Sequence, residues 1–386
     1  QRSALAFARI NYTPPNILSG TIDQNLTLTT VNSPYSVNDN LVINSGVTLT
    51  IEAGVEVQVN GDYQIQVSGN IHATGNQTSS QTNWVRFSHN NNSKIKISFQ
   101  NGSQNNLFDY CYLDGFHLTA ELPGAMFSNA KFIQITNSNL ENSLIHELTC
   151  SNLTGNQIKN TKILLGFLGG ASGDQAVYQN QLRGSSSIEI RVSSALSSLD
   201  IQHNDIQIDT SNNTTGFDVQ HALSVHLSNV PTIISNNLIK NLSPGSQSLT
   251  SVLKGMSLGL GLNTSSIIIE KNTIQDFSRG LEEYLPGSDA PSALPVIRYN
   301  NFIGNTINYF TNYQRSDLAS RDLGYNWWNT LNAGVITDTI HDFNHSPQLS
   351  SINFSPLLTQ AYDGTPASIP QGPNNPKLVI TGQSGS

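Results

Sequence analysis

The stretch SIIIEKNTIQDF (Ser266–Phe277) decides the fold, because it sets a polar asparagine between two apolar strand segments. Three consecutive isoleucines and a later Ile/Phe pair indicate a strand that is at least partly buried. Asn272 lies between them, where a buried amide needs hydrogen-bond partners. Asparagine also tolerates left-handed backbone angles, so the residue predicts a bend that joins two short strands.

The same arrangement recurs along the chain, with each asparagine followed two residues later by a large apolar residue. The seven asparagines are Asn156, Asn180, Asn204, Asn236, Asn272, Asn300 and Asn326. Their separations are 24, 24, 32, 36, 28 and 26 residues, which fits a solenoid whose coils carry insertions of different length. Amides stacked at the strand spacing of about 4.8 Å form a hydrogen-bonded ladder. The sequence therefore predicts β-coils around an internal asparagine ladder; the alternative is chance recurrence in a chain rich in asparagine.

The N-terminal half has period-two apolar spacing, with glycines at the corners between strands. The alternating residues are Val47, Leu49, Ile51, Val55, Val57, Val59, Ile65 and Val67. With the segments GNIHATG (Gly69–Gly75) and, near the other end, YNWWNT (Tyr325–Thr330), the chain resembles secreted right-handed parallel β-helix proteins, the pectate-lyase-like superfamily. The resemblance covers about residues 35–360 and implies an all-β, right-handed parallel β-helix, the hand that parallel crossovers favour. Asn329 stands where the family often has glycine, and asparagine can adopt the same positive-φ turn.

Four segments follow from this interpretation. Residues 1–34 are an N-terminal strand, arm or cap, and residues 35–330 are the β-helix. Residues 331–362 form the closing coil and cap, and residues 363–386 are a Pro-rich tail. The arm either caps its own helix or extends the sheet of a neighbouring copy, as in a filament.

Composition restricts the partners. Charged residues are 11% of the chain and the net charge is -8, which disfavours nucleic acid and repels acidic polysaccharide except at a local groove. No apolar run reaches the length of a membrane span. The chain opens on Gln1, so we expect a processed product that is secreted or at the cell surface. Several Asn-x-Ser/Thr sequons are candidate sites of glycosylation. Cys111 and Cys150 are predicted to be free thiols, since they fall nearly two coils apart.

Charge is scarce, so its clusters are the candidates for chemistry. The best is Asp276, Arg279, Glu282 and Glu283, which in a polysaccharide lyase would supply a base and, with Ca²⁺ as cofactor, neutralise a uronate; the alternative is a solvated loop. No metal site is predicted outside that case.

Further polar clusters and aromatic residues are weaker candidates. Asp218, His221 and His226 are a poor metal site, because a strand puts residues five apart on opposite faces. Salt-bridged cap residues explain Arg315, Asp317, Arg321 and Asp322. Candidate sugar platforms are Trp84, Tyr309 and Tyr313, whereas Trp327 and Trp328 suit the core of the closing coil.

The sequence thus predicts a passive extracellular structural or adhesive β-helix, with possible self-assembly through its strand-like ends. The alternative is a carbohydrate-active enzyme, either polysaccharide lyase or glycoside hydrolase, or a glycan-binding module on the same fold.

Overall fold

A computed structural model gives the fold of most of the chain. The residues it describes are 16–77, 81–90, 94–100, 102–120, 132–167, 174–192, 197–211, 219–227, 230–244, 252–261, 266–284, 294–312, 320–347 and 349–363. More than half of them lie in short strands, and these strands pair in parallel with the equivalent strand of the next coil. The predicted parallel β-helix is confirmed.

Each coil contributes one strand to each of three faces. Face 1 consists of β2 (Leu26–Leu28), β4 (Thr48–Ile51), β7 (Asn70–Thr74), β10 (Asn106–Asp109), β13 (Phe132–Thr136), the second half of β15 (Leu144–Thr154), β18 (Asp174–Tyr178), β21 (Ser198–Gln202), β24 (Thr232–Ser235), β27 (Ile267–Glu270) and β30 (Val296–Arg298). Face 2 consists of β5 (Glu56–Val59), β8 (Val85–His89), β11 (Cys111–Asp114), β14 (Asn139–Glu141), β16 (Gln157–Lys159), β19 (Gln181–Gly184), β22 (Asp205–Ile208), β25 (Leu238–Asn241), β28 (Thr273–Gln275) and β31 (Asn301–Ile303). Face 3 consists of β6 (Gln64–Val67), β9 (Ile95–Phe99), β12 (Phe116–Ala120), the first half of β15, β17 (Lys162–Phe167), β20 (Ser187–Val192), β23 (His221–Leu227), β26 (Lys254–Leu260), β29 (Arg279–Tyr284), β32 (Ile307–Thr311) and β34 (Ile340–His341).

The interior is filled by the inward residues of all three faces. In the N-terminal coils the period-two pattern is confirmed, because Leu49, Ile51, Val57 and Val59 are all buried. Close backbone packing at the corners explains the motif glycines. A Cβ on Gly69 would lie 2.0 Å from the Val47 carbonyl oxygen, so no other residue fits without moving the backbone.

The asparagine ladder follows the corner between faces 1 and 2. Its members are Cys111, Ser138, Asn156, Asn180, Asn204, Asn237, Asn272, Asn300 and Asn326. At Asn204 the backbone N–H and Nδ2 both donate to Oδ1 of Asn237, and Nδ2 also donates to the Val177 carbonyl. Every amide between two others is satisfied in this way, so the buried polar column costs little.

The prediction that Asn236 belongs to the ladder is wrong. Asn236 has φ 55 and occupies the left-handed turn position, and Asn237 provides the ladder amide. The residue before each ladder position bends the chain, as Gln179, His203 and Lys271 do. Asn329 has the predicted positive φ.

A second column follows the corner between faces 2 and 3, and sequence reasoning missed it. Its hydroxyl side chains accept backbone N–H groups from the preceding coil: Phe116 donates to Ser143, Ser143 to Thr161, and Thr161 to Ser186. Near the C-terminus Asn305 takes the same role and accepts from the Phe277 N–H.

The ends of the helix close differently. Strands β1 (Ile17–Ile22) and β3 (Tyr35–Ile43) each span faces 2 and 3 and pair with one another, so residues 17–28 form the first coil. The segment predicted as an arm, residues 3–13, lies outside the described residues. At the C-terminus a short helix, α1 (Ala333–Asp338), and the pair β33 (Arg321–Asp322) and β35 (Ile352–Asn353) follow the last coils. No helix in the described ranges has the length and apolarity to cross a membrane.

Candidate functional site

The predicted cluster around Arg279 divides between the outside and the inside of the β-helix. Arg279 and Glu282 lie together on the outer surface of face 3, with Nη1 of the arginine 2.7 Å from the carboxylate. Lys254 on the neighbouring strand binds the other oxygen of Glu282 at 3.0 Å. Asp276 sits at the preceding turn with φ 64, where it accepts from Gln275. Only two of the four predicted residues therefore share a site.

Glu283 is completely buried inside the helix. Its carboxylate accepts a hydrogen bond from the Tyr309 hydroxyl and lies 3.0 Å from Nη2 of Arg321. Burial, followed by the charge of Glu283, raises the pKa of Tyr309 well above its ordinary value. This buried trio stabilises the last coils through charge and hydrogen bonding and has no exposed reactive atom. Assigning Glu283 to a catalytic cluster and Tyr309 to a sugar platform is wrong for this reason.

Strand geometry explains why Arg279 and Glu282 point the same way despite their spacing of three. Face 3 strands begin with an outward residue, a small one at the corner, an inward apolar one and a second outward one. This order reads His221, Ala222, Leu223, Ser224 in β23; Lys254, Gly255, Met256, Ser257 in β26; and Arg279, Gly280, Leu281, Glu282 in β29. The bend at the small residue breaks the regular alternation.

The same bend brings the two predicted histidines together, so the expectation that they lie on opposite faces is wrong. His221 Nε2 is 3.8 Å from one oxygen of Glu189 in β20, and His226 Nε2 is 3.6 Å from the other. Arg191 also binds Glu189, at 2.8 Å. Asp218, the third predicted member, lies outside the described residues. Sequence reasoning missed Glu189 because it belongs to the previous coil.

A tyrosine completes this group. The Tyr284 hydroxyl lies 3.0 Å from both ring nitrogens of His226, and Ser224 Oγ lies 3.4 Å from His226 Nε2. Burial, then Glu189 and Glu282, raises the pKa of Tyr284 to about 12, so the phenol stays protonated. Burial also lowers the pKa of His226 below its ordinary value, so its imidazole is uncharged at neutral pH.

These residues belong to a longer feature that we call the basic stripe. Eight consecutive strands of face 3 hold basic or imidazole side chains outside the core, and we take as the stripe Lys96, His117, His146, Lys162, Arg191, His221, Lys254 and Arg279. Six of these lie close to one column, whereas His146 and Arg191 lie two and four residues further along their strands. At about 4.8 Å per strand the stripe is about 34 Å long. Its described carboxylates, Glu189 and Glu282, are both held in ion pairs.

Burial and nearby cations both lower the pKa of two histidines of the stripe. Burial, followed by His146, Lys94 and Lys96, lowers the pKa of His117. At His221 burial dominates and brings the pKa to about 4; Glu189 opposes that shift, while Lys254 and Lys162 add to it. The lysines are thus close enough to disfavour the charged form of these imidazoles, and a bound anion would reduce that repulsion.

The remaining candidates fall elsewhere. Trp84 and Trp328 are buried, and Trp328 stacks on Phe302 at 4.8 Å between ring centroids, so Trp84 is not a sugar platform. Trp327 is half-buried. Tyr313, Arg315 and Asp317 lie outside the described residues; Arg321 joins Glu283 in the interior, while the Asp322 carboxylate accepts the N–H of Gly324. Cys111 is a buried free thiol in the ladder, as predicted.

The described residues assemble no metal centre, and the two carboxylates of the basic stripe lie too far apart to act together as a hydrolase pair. No three His, Cys, Asp or Glu side chains there are grouped to hold a metal ion. Glu189 and Glu282 occupy the same outward column but are separated by Ser224 and Ser257. Three strand spacings put their backbones about 14 Å apart, beyond the roughly 5–9.5 Å between the carboxyl groups of glycosidases.

Comparison with known proteins adds no assignment. No protein-family model matches the sequence, and no curated protein is significantly similar to it.

Proposed function

We propose that the protein is an extracellular adhesive β-helix that binds acidic polysaccharide along the basic stripe. One observation carries this proposal: basic side chains recur on eight successive strands in a chain whose net charge is -8. A protein of this composition repels polyanions over most of its surface, so the face on which five lysines and arginines recur among three histidines is the place where a polyanion can bind.

The rigid scaffold supports binding of an extended chain. Each basic residue lies on a strand that is hydrogen-bonded on both sides. The backbone is therefore already ordered, and binding costs little conformational entropy there. The N-terminal residues of the stripe show this arrangement, since Lys96 lies opposite His117 in register and is held by Asp62 at 2.7 Å. Spacing by strands gives repeated contacts to a repeating ligand.

Charge density favours polysaccharide over nucleic acid. Double-stranded DNA carries one charge per roughly 1.7 Å of axis, whereas the stripe holds five lysines and arginines along about 34 Å. A polymer with one carboxylate or sulfate per sugar unit suits this lower density. The ordinary function is then passive: stacked sheets supply stiffness, and the stripe supplies attachment.

Binding to polygalacturonate, with neutral dextran and single-stranded DNA for comparison, tests the proposal. We expect polygalacturonate to bind and its affinity to fall as salt increases. The double variant Lys96→Gln/Lys162→Gln should bind about fivefold more weakly, because two exposed charge contacts contribute roughly 0.5 kcal/mol each. Lys159→Gln on face 2 is the matched control and should bind like the wild type. Absence of acidic-polysaccharide binding, or equal binding of dextran, would refute the proposal, and preferred binding of DNA would replace it.

A second candidate function, a carbohydrate-active enzyme, is favoured by the pairing of His226 with Tyr284. An uncharged imidazole can accept a proton, and a phenol with a raised pKa can donate one to a leaving oxygen, which is the pair of roles that β-elimination needs. The predicted lyase residues Arg279 and Glu282 lie on the same strand as Tyr284 and two strands away from His226. Ultraviolet absorbance of an unsaturated product would establish a lyase, and its loss in Tyr284→Phe would assign the proton donor.

Assembly into a filament through the N-terminal arm stays a separate prediction. Sedimentation of the purified protein over a range of concentrations tests it, since a monomer under all conditions would remove it.

A further inference from the structure

The basic stripe contains histidines between its lysines and arginines, and this alternation has a consequence for regulation. His117 in β12 lies between β9, which brings Lys96, and β15, which brings His146. Lys94 directly precedes β9 and acts on the same imidazole. The charged groups that act on His117 are therefore all cations or potential cations.

Further along the stripe the surroundings differ. His221 and His226 in β23 face Glu189 and Arg191 from β20, and Lys254 and Tyr284 from β26 and β29. Glu189 favours a charged imidazole there, while burial opposes it. His221, with a pKa of about 4, stays uncharged across most of the useful pH range. His117 is thus the more responsive histidine of the stripe.

We propose that the stripe binds acidic glycan and protons together, with His117, opposite Lys96, becoming charged when the polyanion lies over it. The inference rests on the proposed function and adds its regulation: attachment strengthens in mildly acidic surroundings and weakens in alkaline ones.

The direction follows from linkage. In the free protein burial, and then the neighbouring cations, hold the pKa of His117 below its ordinary value, so the imidazole is neutral at pH 7. A bound anion neutralises those cations and attracts the charged imidazole, which raises the pKa in the complex. Affinity therefore increases as pH falls through the pKa of the complex and levels off below the pKa of the free protein.

Calorimetric titration with dextran sulfate tests this inference, because sulfate esters stay ionised and the probe itself does not change charge. Titrations at pH 8 and pH 5.5, at fixed ionic strength, should show about tenfold tighter binding at the lower pH, since one unit of pKa corresponds to a factor of ten in affinity. Repeating the lower-pH titration in two buffers of different ionisation enthalpy should reveal net proton uptake by the protein.

A histidine variant tests whether His117 takes up the proton. His117→Gln should lose most of the gain in affinity between pH 8 and pH 5.5, because glutamine takes up no proton. His203→Asn is the control, because His203 lies at the far corner of the coil with φ 56, which asparagine also adopts. Binding with neither pH dependence nor proton uptake in the wild-type protein would overturn the inference and leave the proposed function standing. Failure to bind any polyanion at either pH would overturn both.

Discussion

The coils before residue 111 and those after it hold the same corner of the helix in different ways. In the earlier coils this corner packs closely around Gly75, as the corner between faces 3 and 1 does around Gly69, and a backbone carbonyl accepts the hydrogen bond, as where Tyr110 accepts from Val85. In the later coils a continuous column of amides accepts the backbone N–H groups at this corner, as at Asn180 and Asn204. Both solve the problem of buried backbone polar groups, one by shape and the other by added side-chain partners.

This difference bears on how the coils tolerate insertions. Across the ladder the separation between neighbouring asparagines ranges from 24 residues, at Asn156 and Asn180, to 35, at Asn237 and Asn272. The hydrogen bonds stay at 3.0 and 2.9 Å in the two cases. An amide column therefore keeps the register of a coil independent of the length of its loop, and loops can carry variation without disturbing the stripe on face 3.

The largest expected effect concerns two adjacent asparagines in one ladder coil. Asn237→Ala removes the acceptor of the Asn204 N–H and Nδ2 and the donor to the Ile201 carbonyl, so buried groups are left unpaired. We expect a loss of about 4 kcal/mol in the free energy of unfolding. Asn236→Ala, its matched control, changes only a left-handed turn residue and should cost about 1 kcal/mol.

Urea unfolding measures both variants, and hydrogen exchange at the Asn204 amide reports the local effect. Equal losses for the two variants would show that the column does not stabilise this region, and the contrast between early and late coils would then lose its energetic basis.

The choice between those two asparagines also shows what the sequence can predict. The rule of an apolar residue two positions on fits both, since Leu238 and Ile239 follow in turn, and only the backbone distinguishes the turn position from the buried one. The β-helix, its apolar strands and six of the seven ladder asparagines were predictable, because they depend on local periodicity.

The basic stripe was not predictable in the same way. Its members lie far apart in sequence, in coils of unequal length, and only strand register brings Lys96 opposite His117 or Lys254 opposite Arg279. The outward direction of Glu282 and the inward direction of Glu283 depend on the corner bend at Gly280, which regular alternation does not include.

A glycine substitution tests the earlier coils by the same standard. In Gly69→Ala the new Cβ would meet the carbonyl oxygens of Val47 and Asn44 at 2.0 and 2.4 Å, and both are backbone atoms. We expect a loss of about 3 kcal/mol from the backbone shift that this requires. Gly46→Ala is the control: it has positive φ but open space, so it should cost about 1 kcal/mol. Thermal and urea unfolding distinguish the two, and a Gly69→Ala protein as stable as the wild type would mean that the early corners are loosely packed.

The smallest expected effect lies where the two kinds of corner meet. The Ser138 hydroxyl accepts from the Cys111 N–H and donates to the Thr136 carbonyl, and the Ser138 N–H donates to Asn156 Oδ1. Ser138 therefore takes a place in the ladder with a shorter side chain. Ser138→Asn would extend the amide column by one coil, with Nδ2 able to donate to Asn156 Oδ1. One added buried hydrogen bond contributes about 1 kcal/mol, so urea unfolding should show a gain of that size. A loss instead would mean that the coil at Ser138 is too narrow for an amide. The boundary between the two regions would then be set by the space inside the helix, and the ladder would begin at Asn156 because that is the first coil wide enough to hold it.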